Sequence, residues 1–155
     1  MALPTEGKKA PAFKAVDQDG EPIALADYLG KKVVLFFYPK DDTPTCTTQA
    51  CNLRDNYERL KKEGFEVIGV SVDSVKSHKK FEQKHKLPYR LVSDENQKIV
   101  QKYGIWGLKQ MMGHTFMGTF RTTYLIDEKG KIRKILNKPV SKTHAEEIFA
   151  AWKTI

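Results

Sequence analysis

Apolar positions along the chain change period several times, and each change marks an element. Residues 32–38, Lys-Val-Val-Leu-Phe-Phe-Tyr, form an unbroken β-branched and aromatic run stopped by Pro39. A run with no polar alternation predicts a strand buried on both faces. Thr43-Pro44 then sets a capping residue before a proline at the first helical position, and Ala50, Leu53, Tyr57 and Leu60 recur at helical spacing. One helix over 43–60 is predicted, ended by Gly64. Residues 65–72, Phe-Glu-Val-Ile-Gly-Val-Ser-Val, read as a second buried strand, which makes a βαβ unit with a right-handed crossover.

Upstream, Asp19-Gly20 lies between short mixed runs in 13–25 and predicts an edge hairpin. Downstream, the pattern predicts a helix over 74–85, a short strand over 89–92, a short helix over 97–103 and a glycine- and methionine-rich loop over 104–118. Two strands, 121–127 and 131–136, flank a turn at Glu128-Lys129-Gly130, and a capped helix over 141–152 closes the chain. The alternation of strand and helix gives an α/β class, with a central mixed sheet flanked by helices.

At 155 residues and 40% hydrophobic content, with no repeat or linker, the chain fits a single domain spanning 1–155. No apolar run reaches the eighteen or so residues of a membrane span, and the start lacks a signal-like apolar stretch, so a cytoplasmic protein is expected. Lysine and arginine exceed aspartate and glutamate by 27 to 19, yet the lysines fall in pairs (Lys8/Lys9, Lys31/Lys32, Lys61/Lys62, Lys79/Lys80) interleaved with acids. That dispersal predicts a solvated basic surface and no nucleic-acid contact. His78, His85, His114 and His144 share no motif with the cysteines and are expected at the surface. Trp106, Met111, Met112, Phe116 and Met117 are expected to pack against the core; the alternative is a mobile wall or docking surface near the active site.

The two cysteines, Cys46 and Cys51, are too few for a disulfide framework, and their closeness points to redox chemistry or a partial metal site. Zinc would need two more ligands, so no metal is expected. Cys46 falls in the first turn of its helix, where unpaired N–H groups and the positive dipole end favour an anion, and the thiolate is the nucleophilic form of cysteine. The plainer reading is a buried, inert thiol. Five residues of helix rise about 7.5 Å and turn about 140°, separating the two Cα atoms by roughly 8.6 Å. A disulfide needs less than about 7 Å, so the arrangement predicts oxidation of Cys46 in the intact helix and attack by Cys51 only after that turn unwinds.

The stretch Pro39-Lys40-Asp41-Asp42-Thr43-Pro44-Thr45-Cys46 resembles the peroxiredoxin pattern of proline, three residues, threonine, two residues, cysteine. Thr47 to Asp55, Tyr103-Gly104-Ile105-Trp106-Gly107 and Arg121 to Asp127 are similar to the subgroup called bacterioferritin comigratory protein or peroxiredoxin Q, and the similarity runs from about Gly7 to the C-terminus. The resemblance implies a thioredoxin-like fold with an N-terminal extension. It implies that Cys46 is the peroxidatic cysteine, forming a sulfenic acid, and that Cys51 resolves it to an intramolecular disulfide reopened by thioredoxin or a glutaredoxin-like reductant. Arg121 would be the fixed cation beside the thiolate, Thr43 would hold the peroxide, and Pro39 would exclude water. No cofactor is needed, and a monomer is expected. Thr45 departs from the subgroup, where glycine commonly precedes the cysteine, and its branched side chain stiffens that point.

The expected activity is therefore a thiol-dependent peroxidase acting on hydrogen peroxide and organic hydroperoxides. A disulfide reductase would more usually carry Cys-x-x-Cys. A redox sensor or chaperone would react once per chain instead of cycling.

Overall fold

The structure, a computed structural model, describes residues 3–155. The first hairpin pairs β1 (Lys14–Val16) with β2 (Pro22–Ala24), as Asp19-Gly20 predicts, with Gly20 at φ 74° in the turn. β3 (Lys32–Phe37) leads to α1 (Pro44–Asp55) and α2 (Tyr57–Lys62), then to β4 (Phe65–Ser71), which runs parallel to β3. α3 (Val75–His85), β5 (Arg90–Ser93) and α4 (Lys98–Lys102) follow. Next come β6 (Trp106–Met111), β7 (His114–Thr119), β8 (Thr122–Ile126), β9 (Ile132–Leu136) and finally α5 (His144–Lys153).

Seven strands form one mixed sheet in the order β2-β1-β5-β4-β3-β8-β9, with β3, β4 and β5 parallel and the outer pairings antiparallel. The unbroken apolar run of β3 is explained by its central place. Val33, Leu35 and Phe37 enter one core, with Tyr103 and Tyr124, while Val34, Phe36 and Tyr38 enter the other, with Cys46, Ala50 and Leu53 of α1. Truncating a side chain such as Phe36 to alanine in so closed a layer costs about 3–5 kcal/mol. The second core fixes the height of α1 above the C-terminal end of β3, and with it the depth of Cys46.

Five expectations fail, wholly or in part. The helix predicted over 43–60 breaks at Asn56, whose side-chain Nδ2 donates to the Asn52 carbonyl at 2.8 Å and so competes with helix continuation. The helix predicted from 141 begins as a 3-10 turn, Ser141–Thr143, and becomes α-helical only at His144. The loop expected over 104–118 is a two-stranded sheet, β6 against β7, closed by Met112 (φ 50°) and Gly113 (φ 80°). Two consecutive left-handed residues make the type I′ hairpin turn, which Asn-Gly normally advertises and Met-Gly does not. Of the hairpin residues expected to pack inward, Trp106 does so, against the first core, whereas Met111, Met112, Phe116 and Met117 are 60%, 93%, 41% and 48% exposed.

The histidines supply the fifth failure. His78 and His144 are both fully buried, because each finds partners on both ring nitrogens. His114 is exposed as expected, and His85 is partly covered.

Candidate active site

Cys46 is the third residue of α1, 1% exposed, beneath the first turn of the helix. Thr43 occupies the N-cap position with Pro44 after it, as the sequence predicts, and the Thr47 amide donates to the Thr43 carbonyl at 2.8 Å. Its side chain does not cap. The Thr43 hydroxyl donates instead to the Lys40 carbonyl at 2.9 Å, which leaves its oxygen lone pairs free to accept. Pro39, half-buried at the end of β3, begins the turn that carries Thr43 to the helix.

Arg121 immediately precedes β8, and β8 pairs directly with β3, so the sheet brings it to the helix start. One guanidinium nitrogen donates to the Cys46 Sγ at 3.1 Å and the other to the Gln49 Oε1 at 2.6 Å. Gln49 lies one turn beyond Cys46 on the same buried face of α1, and its Nε2 has no partner among the described residues. No motif in the sequence singles out Gln49. Its three-residue spacing from Cys46 is the available signal.

Lys109 of β6 also escapes a reading of the sequence, because its segment has the pattern of a loop. Its Nζ donates to the Thr119 carbonyl at 3.0 Å. Burial first, and then the neighbouring Arg121 cation, lower its pKa, against the opposing pull of Cys46. An open groove of about 410 Å³ reaches Arg121 between Pro44, Thr45 and Thr48 on one wall and Pro139, Val140 and Lys142 on the other.

Cys51 sits in the same helix, half-buried, and both thiols are free. Burial pushes the Cys51 thiol up, partly offset by Arg54. It is held as a neutral thiol while the helix is intact. The stretch of α1 around it is tied down: Asn52 Nδ2 donates to the Lys142 carbonyl (2.9 Å), Asn52 Oδ1 accepts from the Ala145 amide (2.8 Å), and the Tyr89 hydroxyl donates to the Ala50 carbonyl (2.7 Å).

Behind the turn lies a second polar cluster. Asp41, Asp73 and His78 bring ligand-type atoms within 4.8 Å of one another. Those atoms are already engaged with protein partners, Asp41 with three donors and Asp73 with the Ser71 hydroxyl and the Asp41 amide, so the geometry is that of a hydrogen-bond network.

The chain matches the model of the AhpC/TSA family over residues 6–135. It is 45% identical over 142 residues to a protein of Coxiella burnetii named putative peroxiredoxin bcp, covering 92% of this chain and 94% of that one. It is 42% identical over 147 residues to peroxiredoxin Bcp of Bacillus subtilis, covering 95% and 94%. A solved cysteine-to-serine mutant of Xylella fastidiosa PrxQ superposes with a TM-score of 0.91 at 27% identity, over 99% of this chain and 98% of that one. The seven-stranded mixed sheet flanked by helices is thus the thioredoxin-like fold that the resemblance implied.

Proposed function

The chain belongs to the AhpC/TSA family as a peroxiredoxin of the Bcp or peroxiredoxin Q type, and on that premise we propose that its thiol peroxidase activity runs through Cys46, with Cys51 resolving and thioredoxin or a glutaredoxin-like dithiol reducing. The observation that carries the assignment is the 3.1 Å contact between Arg121 Nη2 and the Cys46 Sγ at the start of α1.

The guanidinium and the helix start together stabilise a thiolate and the negative charge that develops on the peroxide. The Cys46 sulfur attacks one peroxide oxygen, an S–O bond forms, the O–O bond breaks, and water or alcohol leaves. Thr43 accepts the peroxide O–H on its free lone pairs, and Pro39 keeps water from the opposite side. Cys51 then attacks the sulfenic sulfur, an S–S bond forms and water leaves. Two thiols of the reductant return the disulfide to Cys46 and Cys51 by exchange.

Hydrogen peroxide and organic hydroperoxides are the substrates we infer, with the open groove beside Arg121 as the approach to the site. We place the enzyme in the cytoplasm, where free thiols stay reduced between turnovers, and as a monomer of one domain, because both cysteines lie on the same helix.

Peroxide consumption by wild type, Cys46→Ser and Cys51→Ser with thioredoxin tests the cycle. Cys46→Ser is expected to be inactive, and Cys51→Ser to react once and stall without its intramolecular disulfide. Wild-type turnover by Cys46→Ser would overturn the assignment.

A further inference from the structure

The turn that delivers Thr43 and Cys46 is gripped along its length by α3. Asp42, a non-glycine residue at φ 58°, holds a left-handed conformation that persists only where surroundings enforce it. Its carboxylate takes Lys84 Nζ at 2.8 Å and His85 Nε2 at 3.1 Å from the last turn of α3. One residue earlier, the buried Asp41 accepts from the Tyr38 hydroxyl (2.6 Å), the Ser77 hydroxyl (2.8 Å) and His78 Nδ1 (2.7 Å), the last two from the first turn of α3. His78 Nε2 faces the Val92 carbonyl at 2.9 Å, an acceptor only, so this nitrogen carries a proton. Nδ1 meets the Asp41 carboxylate, so the buried ring bridges the turn to β5.

We propose that Asp41 and His78 are positioning residues for the peroxidase: their buried bond clips residues 39–43 to α3 and holds the first turn of α1 in its peroxide-reacting form. The inference rests on the assignment of Cys46 and Cys51 above. The stretch of α1 around Cys51 is tied separately, by Asn52 to Lys142 and Ala145 and by Tyr89 to Ala50. The unwinding that lets the two sulfurs meet is therefore confined to the Cys46 end, where the clip opposes it.

Two reactions compete for the sulfenic acid. In one, the Cys51 thiol displaces water and forms the disulfide. In the other, a second hydroperoxide transfers an oxygen, its O–O bond breaks, an alcohol or water leaves, and Cys46 becomes a sulfinic acid. A firm clip favours peroxide attack and delays Cys51. Loosening it must slow the first peroxide reaction and protect against over-oxidation, two changes in opposite directions.

Ser77→Ala removes one donor from Asp41, and His78→Gln removes the ring that bridges Asp41 to Val92. Asp17→Asn, in the edge hairpin, is the control for general destabilisation. Amide exchange of Thr47 and Thr48, at the first hydrogen-bonded positions of α1, is read first, since it requires no activity. It is expected to be about tenfold faster in His78→Gln, with a smaller rise in Ser77→Ala and none in Asp17→Asn. The peroxide rate constant should then fall severalfold in His78→Gln, while the peroxide concentration that over-oxidises half of Cys46 rises severalfold. Exchange no faster than in Asp17→Asn refutes the clip. So does faster exchange with an unchanged over-oxidation threshold. A wild type with ordinary exchange but no peroxide turnover would instead refute the peroxidase assignment, so the two failures are distinguishable.

Discussion

Arg121 holds two acceptors at once, the Cys46 sulfur at 3.1 Å and the Gln49 amide oxygen at 2.6 Å. A guanidinium does this because its donors form a rigid planar fork; an ammonium offers one compact centre on a flexible stem. Arg121→Lys keeps the charge and loses the fork. The expected result is a fall in kcat/KM for peroxide of about a hundredfold, the usual scale for one lost charge-stabilising donor, with thermal stability nearly unchanged, checked by stopped-flow kinetics beside a melting curve. At this scale the sequence is informative where chemistry and spacing coincide: Arg121 lies 3.1 Å from Cys46, and Thr43 takes the N-cap position ahead of it. It is silent on Gln49, Lys109 and Asp41, whose roles depend on which elements the sheet brings together. An aspartate in a polar turn gives no sign that Tyr38, Ser77 and His78 will all close on it.

At the scale of elements, α1 is a helix under opposed demands. In the proposed cycle it must be intact to place Cys46 beneath Arg121 and must open for Cys51 to reach it. Burial raises the pKa of the Cys51 thiol in the closed helix, so the closed form favours the protonated group. That preference is fully present below the thiol's ordinary value, 9.0, and is lost as pH rises through the higher value of the closed form. Alkali therefore promotes opening only above that ordinary value; below it, the pH dependence of resolution comes from the thiolate fraction of Cys51 in the opened helix. In rapid-mixing experiments the rate of disulfide formation after a single peroxide turnover should climb between pH 7 and about 9, and a rate independent of pH would contradict this account of Cys51. The elements with strong periodicity, β3, β4 and α3, are legible in the amino-acid pattern alone. The β6–β7 hairpin is not, because its strands bury neither face fully and its Met-Gly turn lacks the usual signature.

Across the whole molecule, the two buried histidines mark opposite sides of α1. His144, at the start of α5, donates or accepts at the Thr123 hydroxyl (2.9 Å) and at Glu147 (2.5 Å), so α5 is joined to β8 beneath the second core. Burial lowers its pKa below the ordinary 6.5, with Glu147 opposing and Arg121 adding to the shift. A depressed histidine contributes stability above pH 6.5 that is lost as pH falls through its folded value. The melting temperature of the reduced protein should decline from pH 7 to pH 5, and His144→Gln should flatten that decline while lowering the plateau. An equally steep decline in the variant would place the acid sensitivity elsewhere.

The β6–β7 hairpin has a chemical consequence of its own. Met111, Met112 and Met117 are 60%, 93% and 48% exposed on the two-stranded sheet that leads into Arg121. Thioethers take oxygen from the same oxidant that Cys46 consumes, and each sulfoxide turns an apolar side chain polar. Two such events add the same mass as one sulfinic acid, so only peptide-resolved spectra separate a worn hairpin from a dead cysteine. As peroxide outruns the thiol cycle, the exposed apolar side chains of the hairpin become hydrophilic, and the hairpin keeps a cumulative record of oxidant dose until a sulfoxide reductase erases it.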